Sequence, residues 1–227
     1  MQTFMNVSMW MTRDVRTVGP ETPVTEAAQL MAAEHIRRLP VVEHWPDGAR
    51  VLGIISARDV IHAFPPHVNP FAIEGPDARL TPTKVGEIMT APPLTVSPDT
   101  AIEIAATLLC EHKIGALPVL REKTLAGIIT ESDIFRAFVS LFGSTEAGAR
   151  ITFDATHGED VFEIMGALSR KHQMRVLSLI WTRHDQLPVC LVRVAGANVD
   201  KMLDDLWSSG HAVVNVIRFP GGKGGAA

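Results

Sequence analysis

The chain has 227 residues, 46% of them hydrophobic, and a formal net charge of −4. This fills one large or two ordinary cores without staples, and with no long basic run the charge gives no global reason to bind DNA, RNA or an anionic membrane. An apolar run of the roughly 20 residues that span a bilayer is missing, and the first residues lack the basic start and apolar middle of a secretory signal. Cys110 and Cys190, far apart in apolar stretches, read as reduced buried thiols, so a cytoplasmic protein is expected.

In chain order, residues 15–18 predict a short extended piece, and Pro20 and Thr22 prepare a helix whose Ala27, Leu30 and Met31 recur at helical spacing. Two β-branched runs follow at 39–42 and 51–55, joined by a turn over 43–50 with Pro46-Asp47-Gly48 as its signal, and a second helix starts near Ser56. The unit is β-α-β-β-α, and it occurs twice. Met11-Thr12, Thr17-Val18, Ala27-Ala28 and Leu39-Pro40-Val41 return about 78 residues later as Met89-Thr90, Thr95-Val96, Ala105-Ala106 and Leu117-Pro118-Val119. Gly53-Ile54-Ile55-Ser56-Ala57-Arg58-Asp59 returns as Gly127-Ile128-Ile129-Thr130-Glu131-Ser132-Asp133, at an offset about four residues shorter because the first copy has the longer turn. The copies occupy 1–64 and 85–142, and the Pro-rich stretch between them, 65–84, reads as a linker or wrapping segment.

After a break at 143–148 the period changes. Strands at 151–154, 176–181, 188–194 and 212–219 alternate with helices at 159–172 and 198–207, giving β-α-β-β-α-β over 150–219, the ferredoxin-like order. Residues 220–227 have nothing to bury and read as a mobile tail. The fold class is therefore α/β (α+β).

Thr17-Val18 before a helix, Leu39-Pro40-Val41-Val42, and Gly53-Ile54-Ile55-Ser56-x-x-Asp59, all repeated in tandem, resemble the CBS motif pair called a Bateman module, over about residues 5–140. The resemblance implies a pseudo-twofold pair with two clefts that bind adenosine nucleotides or related adenosyl compounds. It also implies that the hydroxyl-x-x-Asp signature serves ribose and phosphate. The chemistry fits independently, since a hydroxyl and free N–H groups at a helix start suit a phosphate and a carboxylate one turn on can accept from a ribose diol. Ser56 with Asp59 and Thr130 with Asp133 qualify, although the same spacing is close to a helix capping box.

The copies differ at Ile36-Arg37-Arg38 against Ile114-Gly115-Ala116. In similar proteins basic side chains here approach phosphates and small ones leave room for a base. Arg37 and Arg38 are thus candidate phosphate ligands, expected to share a cleft with Asp59, or else solvated surface arginines. Ile36, Ile114, Gly115, Ala116, Thr12 and Thr90 complete the candidate set, and one cleft should suit a phosphorylated ligand better than the other.

The last domain resembles an ACT domain. Its first loop, Asp154 to Asp160, has Gly158 without the Pro-Gly step common there. The whole order resembles the acetoin-utilisation AcuB group. The nine histidines show no metal-ligand spacing, no nucleophile elbow or phosphate-binding Gly-rich loop is present, and the four tryptophans read as packing residues. The expectation is a non-enzymatic regulatory sensor that holds an adenosine compound and no catalytic cofactor, forms at least a dimer and acts on a protein partner. The alternative is a ligand-free interaction module.

Overall fold

The chain enters with a one-turn helix, α1 (Val7–Trp10), that has no counterpart among the predicted elements. A computed structural model describes residues 5–46, 48–64, 69–72, 83–142, 146–156 and 161–220. Two compact units result, Met1–Ala137 and Phe138–Ala227.

In the first unit, α2 (Val24–Ala33) buries Val24, Ala27, Ala28 and Met31 on the predicted face. A hairpin of β1 (Arg38–Trp45) and β2 (Gly48–Ser56) follows. Both strands outrun their predicted lengths, because pairing continues from Arg38↔Ser56 to Trp45↔Gly48 at the turn. Gly48 sits there at φ 130, a conformation open mainly to glycine. Helix α3 (Ala57–His62) completes the copy. The second copy repeats it with α5 (Ile102–Glu111), β3 (Ala116–Arg121), β4 (Thr124–Thr130) and α6 (Glu131–Phe142), preceded by the short α4 (Val85–Ile88). The expected first strand of each copy is reduced to one bridge, Val18↔Val41 and Val96↔Val119, since so short a segment pairs at a single residue. In the linker, a 3-10 turn at Pro70–Ala72 places Phe71 against the first core.

The two hairpins form one sheet in the order β1-β2-β4-β3, joined at Arg50↔Thr124. The short entering helices are exchanged between copies. Val7 and Met11 fill the core of Val96, Ile102, Leu117 and Ile129, whereas Val85 fills that of Val24, Met31, Leu39 and Ile55. Backbone bonds fix the exchange: the Val7 N–H donates to Thr100 O and the Val85 N–H to Thr22 O, each at 2.9 Å. Neither copy closes its core alone.

The second unit is a four-stranded antiparallel sheet in the order β6-β7-β5-β8, built from β5 (Gly148–Asp154), β6 (Arg175–His184), β7 (Leu187–Ala195) and β8 (Val213–Phe219). With α7 (Val161–His172) after β5 and α8 (Val199–Ser208) after β7, this is the predicted split β-α-β topology. Ile151, Phe153, Cys190 and Val192 meet Met165, Met202 and Leu206 in its core. Much of the first loop, including Gly158, and residues 221–227 lie outside the described residues.

Two packing expectations are corrected. Cys110 is exposed, because α5 turns Ile102, Ala105 and Leu109 inward and leaves position 110 on its outer side; Cys190 is buried. Trp45, Trp181 and Trp207 are also exposed. Among the described residues no helix is long and apolar enough to cross a membrane.

Candidate functional site

Each hydroxyl-x-x-Asp signature stands at a strand-to-helix junction and is folded onto itself. Ser56 ends β2 and caps α3: its N–H donates to Asp59 Oδ2 at 2.8 Å, its hydroxyl donates to the same oxygen at 2.7 Å, and the Asp59 N–H approaches Ser56 Oγ at 3.3 Å. Thr130 and Asp133 repeat this at 2.7, 2.7 and 3.4 Å. Arg136 takes Oδ1 of Asp133, which is only 3% exposed. The capping role is thus realised at both positions, and in each carboxylate Oδ2 is engaged in it.

A cleft of about 410 Å³ opens between the copies. Its walls are the loop of Thr12, Asp14, Val15 and Arg16, the α2-to-β1 turn from Glu34 to Arg38, and Ile128, Thr130, Ser132 and Asp133 of the second copy. His35 turns that corner at φ 54. Thr12 reaches the cleft because its N–H donates to Ile128 O and its carbonyl accepts from the Ile128 N–H, both at 2.9 Å. Thr12, Ile36, Arg37, Arg38, Thr130 and Asp133 of the candidate set therefore meet here. Ser56, Asp59, Thr90, Ile114, Gly115 and Ala116 do not line it. The expected companion of the two arginines was Asp59, but the described cleft sets them with Asp133, as the Arg38 side chain reaches across to Glu131 at the second copy's strand-to-helix junction.

The cleft is lined by three arginines and by three carboxylates, Asp14, Glu34 and Asp133. Arg16 pairs with Glu34 at 3.0 Å, and Arg38 approaches Glu131 at 3.7 Å, while Arg37 adds a further cation. Arg38 has its pKa lowered, first by burial and then by the neighbouring Arg37 and Arg58, with Glu131 acting in the opposite sense. Gly115 serves Arg38 here. A Cβ at 115 would fall 1.6 Å from Arg38 Nη2 and 2.2 Å from Cζ, so the space left by the glycine holds a guanidinium. Asp14, Arg16, Glu34, His35 and Ser132 were missed in the sequence. All but Arg16, four residues beyond Thr12, lie within two residues of a candidate, and knowing that the copies face each other would have found them.

The cleft thus gathers arginines, carboxylates and hydroxyls at the junction of two repeats, in a volume within the range of small-molecule sites. The repeats themselves have a family. The CBS domain model matches residues 7–66 and 85–140, and the chain belongs to the CBS-domain family. It is 33% identical over 144 residues to inosine-5'-monophosphate dehydrogenase of Korarchaeum cryptofilum, which covers 63% of this chain but only 26% of the dehydrogenase. To the CBS domain-containing protein YhcV of Bacillus subtilis it is 28% identical over 63% of this chain and 89% of that one. An AcuB structure from Vibrio cholerae matches with a TM-score of 0.50 and 29% identity, covering 61% of this chain and 93% of its own.

Proposed function

We propose that the cleft between the copies binds a phosphorylated adenosine compound and that the protein is a cytoplasmic regulatory sensor, not an enzyme. The observation carrying this is the meeting of Arg16, Arg37 and Arg38 with Thr130 and Asp133 around about 410 Å³, a volume within the range of small-molecule sites. Arginine forks suit phosphate oxygens and a carboxylate suits a ribose diol. Asp133 reaches the diol through Oδ1, exchanging the exposed Arg136 for the ligand while Oδ2 keeps the cap. By the repeat, Ser56, Asp59, Thr90, Ile114, Gly115 and Ala116 belong to a second site, less suited to phosphate because Gly115 and Ala116 stand where the first has Arg37 and Arg38. The ACT-like second unit serves dimerisation or passes the signal to a protein partner.

Thermal unfolding with AMP, ATP, S-adenosylmethionine and adenosine is the test. A ligand at 100 times its Kd adds about 2.7 kcal/mol to the native state. A rise in Tm that is larger for AMP than for adenosine is expected. No rise with any of the four up to millimolar overturns the reading and leaves the second one, an interaction module whose hydroxyl-Asp pairs only cap helices, which the complete capping geometry at both junctions favours.

A further inference from the structure

We propose that Glu131 is a built-in competitor for the ligand's phosphate, holding Arg38 in a seat on Gly115 that an incoming anion must empty. The proposal rests on the reading of the cleft as a phosphate-binding site.

The seat has three parts. Arg38 comes from the start of β1, Glu131 is the first residue of α6, and Gly115 lies just before β3. The backbone holds the last two together, since the Glu131 N–H donates to Gly115 O at 3.3 Å. A side chain at 115 would occupy the guanidinium's position and stand 2.8 Å from Glu131 Oε2. Any side chain at 115 pushes the guanidinium out of this seat.

The repeat shows how specific this is. Arg38, Gly115 and Glu131 correspond to Ala116, Arg37 and Ala57 of the opposite copy, and the equivalent backbone bond, Ala57 N–H to Arg37 O at 2.8 Å, is present. The backbone junction is therefore duplicated, but the mirrored side chains place one arginine beside two alanines. The seat exists once.

Its strength suits a competitor. At 3.7 Å the ion pair is longer than a hydrogen bond, and the Glu131 side chain is 59% exposed, so the pair is weak and screened. Arg37 and Arg58 are near enough to act on Arg38 against Glu131, which further weakens the pair's hold on the guanidinium. A phosphate brings more charge and can take two parallel N–H bonds, so it outcompetes Glu131 for the same group. An uncharged nucleoside does not engage in this exchange. Glu131 thus sets a threshold against weakly charged ligands, and the exchange releases the first residue of α6.

The test is calorimetric titration of the full chain with inorganic pyrophosphate, AMP and adenosine, for wild type, Glu131→Gln, Gly115→Ala, Arg38→Ala and the double variant Arg38→Ala with Glu131→Gln. Glu131→Gln and Gly115→Ala should each tighten pyrophosphate and AMP by about twofold to fivefold, the range of an exposed ion pair, and leave adenosine unchanged. Arg38→Ala should weaken both anions and remove the effect of Glu131→Gln. Unchanged or weakened pyrophosphate binding in Glu131→Gln, or no pyrophosphate binding in any variant, overturns the competitor. If pyrophosphate responds as stated but AMP and adenosine do not bind, the competitor stands and the adenosine reading fails. If AMP binds and is indifferent to Glu131→Gln, the competitor fails and the adenosine reading stands. Glu131→Gln, at an exposed side chain, keeps the test valid should Gly115→Ala fold poorly.

Discussion

Beneath the chain that carries Thr12 into the cleft lies Gly127, where a Cβ would stand 2.8 Å from Thr12 O and 2.8 Å from Met11 Sδ. The carbonyl belongs to a backbone bridge and cannot swing aside, so Gly127→Ala is expected to cost about 1–3 kcal/mol, the range of overpacked sites, in urea unfolding. An unchanged midpoint would show that the bridge is not rigid. The carboxylates allow a sharper prediction. Asp133→Asn should lose about 1 kcal/mol of helix capping and also weaken AMP, whereas Asp59→Asn should lose the cap and leave AMP in the described cleft untouched. Paired stability and affinity measurements on the two variants check this, and equal losses of AMP affinity contradict it. Six residues of the cleft, Thr12, Ile36, Arg37, Arg38, Thr130 and Asp133, were legible in the sequence because the repeat points twice to the same hydroxyl, carboxylate and Leu-Pro turn, whereas Arg16 and Glu34 carry no such signal. Their grouping was not. Spacing along one copy joins Arg37 to Asp59, and only the facing of the two copies joins it to Asp133.

At the scale of elements, the helices with an apolar period were read correctly, and those without one were missed. α2, α5, α7 and α8 show inward positions at helical spacing, but α1 and α4 are four residues long with one buried valine each, too short to carry a period. Their exchange between copies depends on contacts distant in sequence, Val7 with Thr100 and Val85 with Thr22, which no local pattern encodes. In the second unit, Asp205 of α8 meets Lys171 and, at 2.7 Å, His172 Nε2 of α7. Bonds from Lys171 and then His172 hold its pKa below the ordinary value of 3.8. A depressed carboxylate contributes stability that is complete above that ordinary value and is lost as pH falls through the depressed one. Unfolding of the protein should therefore become easier below about pH 4, and Asp205→Asn should flatten that acid limb while lowering stability at neutral pH. An acid limb identical in wild type and variant contradicts the assignment.

For the whole molecule, the exposed apolar residues bear on assembly. Ile61 of α3 and Phe135 of α6 are repeat equivalents, 52% and 69% exposed. Two such helices on one pseudo-symmetric pair offer a self-complementary patch for a second copy. Light scattering at micromolar concentration should give at least a dimer, and Ile61→Glu with Phe135→Glu should shift it toward monomer with little loss of stability, as both side chains face solvent in one copy. A monomeric wild type contradicts this. Regulation then requires that ligand bind the protein's alternative states with different affinities, and the cleft must first select its ligand. Selection by the arginines is tested by calorimetric titration of wild type and Arg37→Ala with AMP and with adenosine. Arg37→Ala should weaken AMP by about tenfold or more, the loss of one charge-assisted bond of roughly 1.5–3 kcal/mol, and leave adenosine unchanged. Equal weakening of AMP and adenosine, or no change in either, would contradict it.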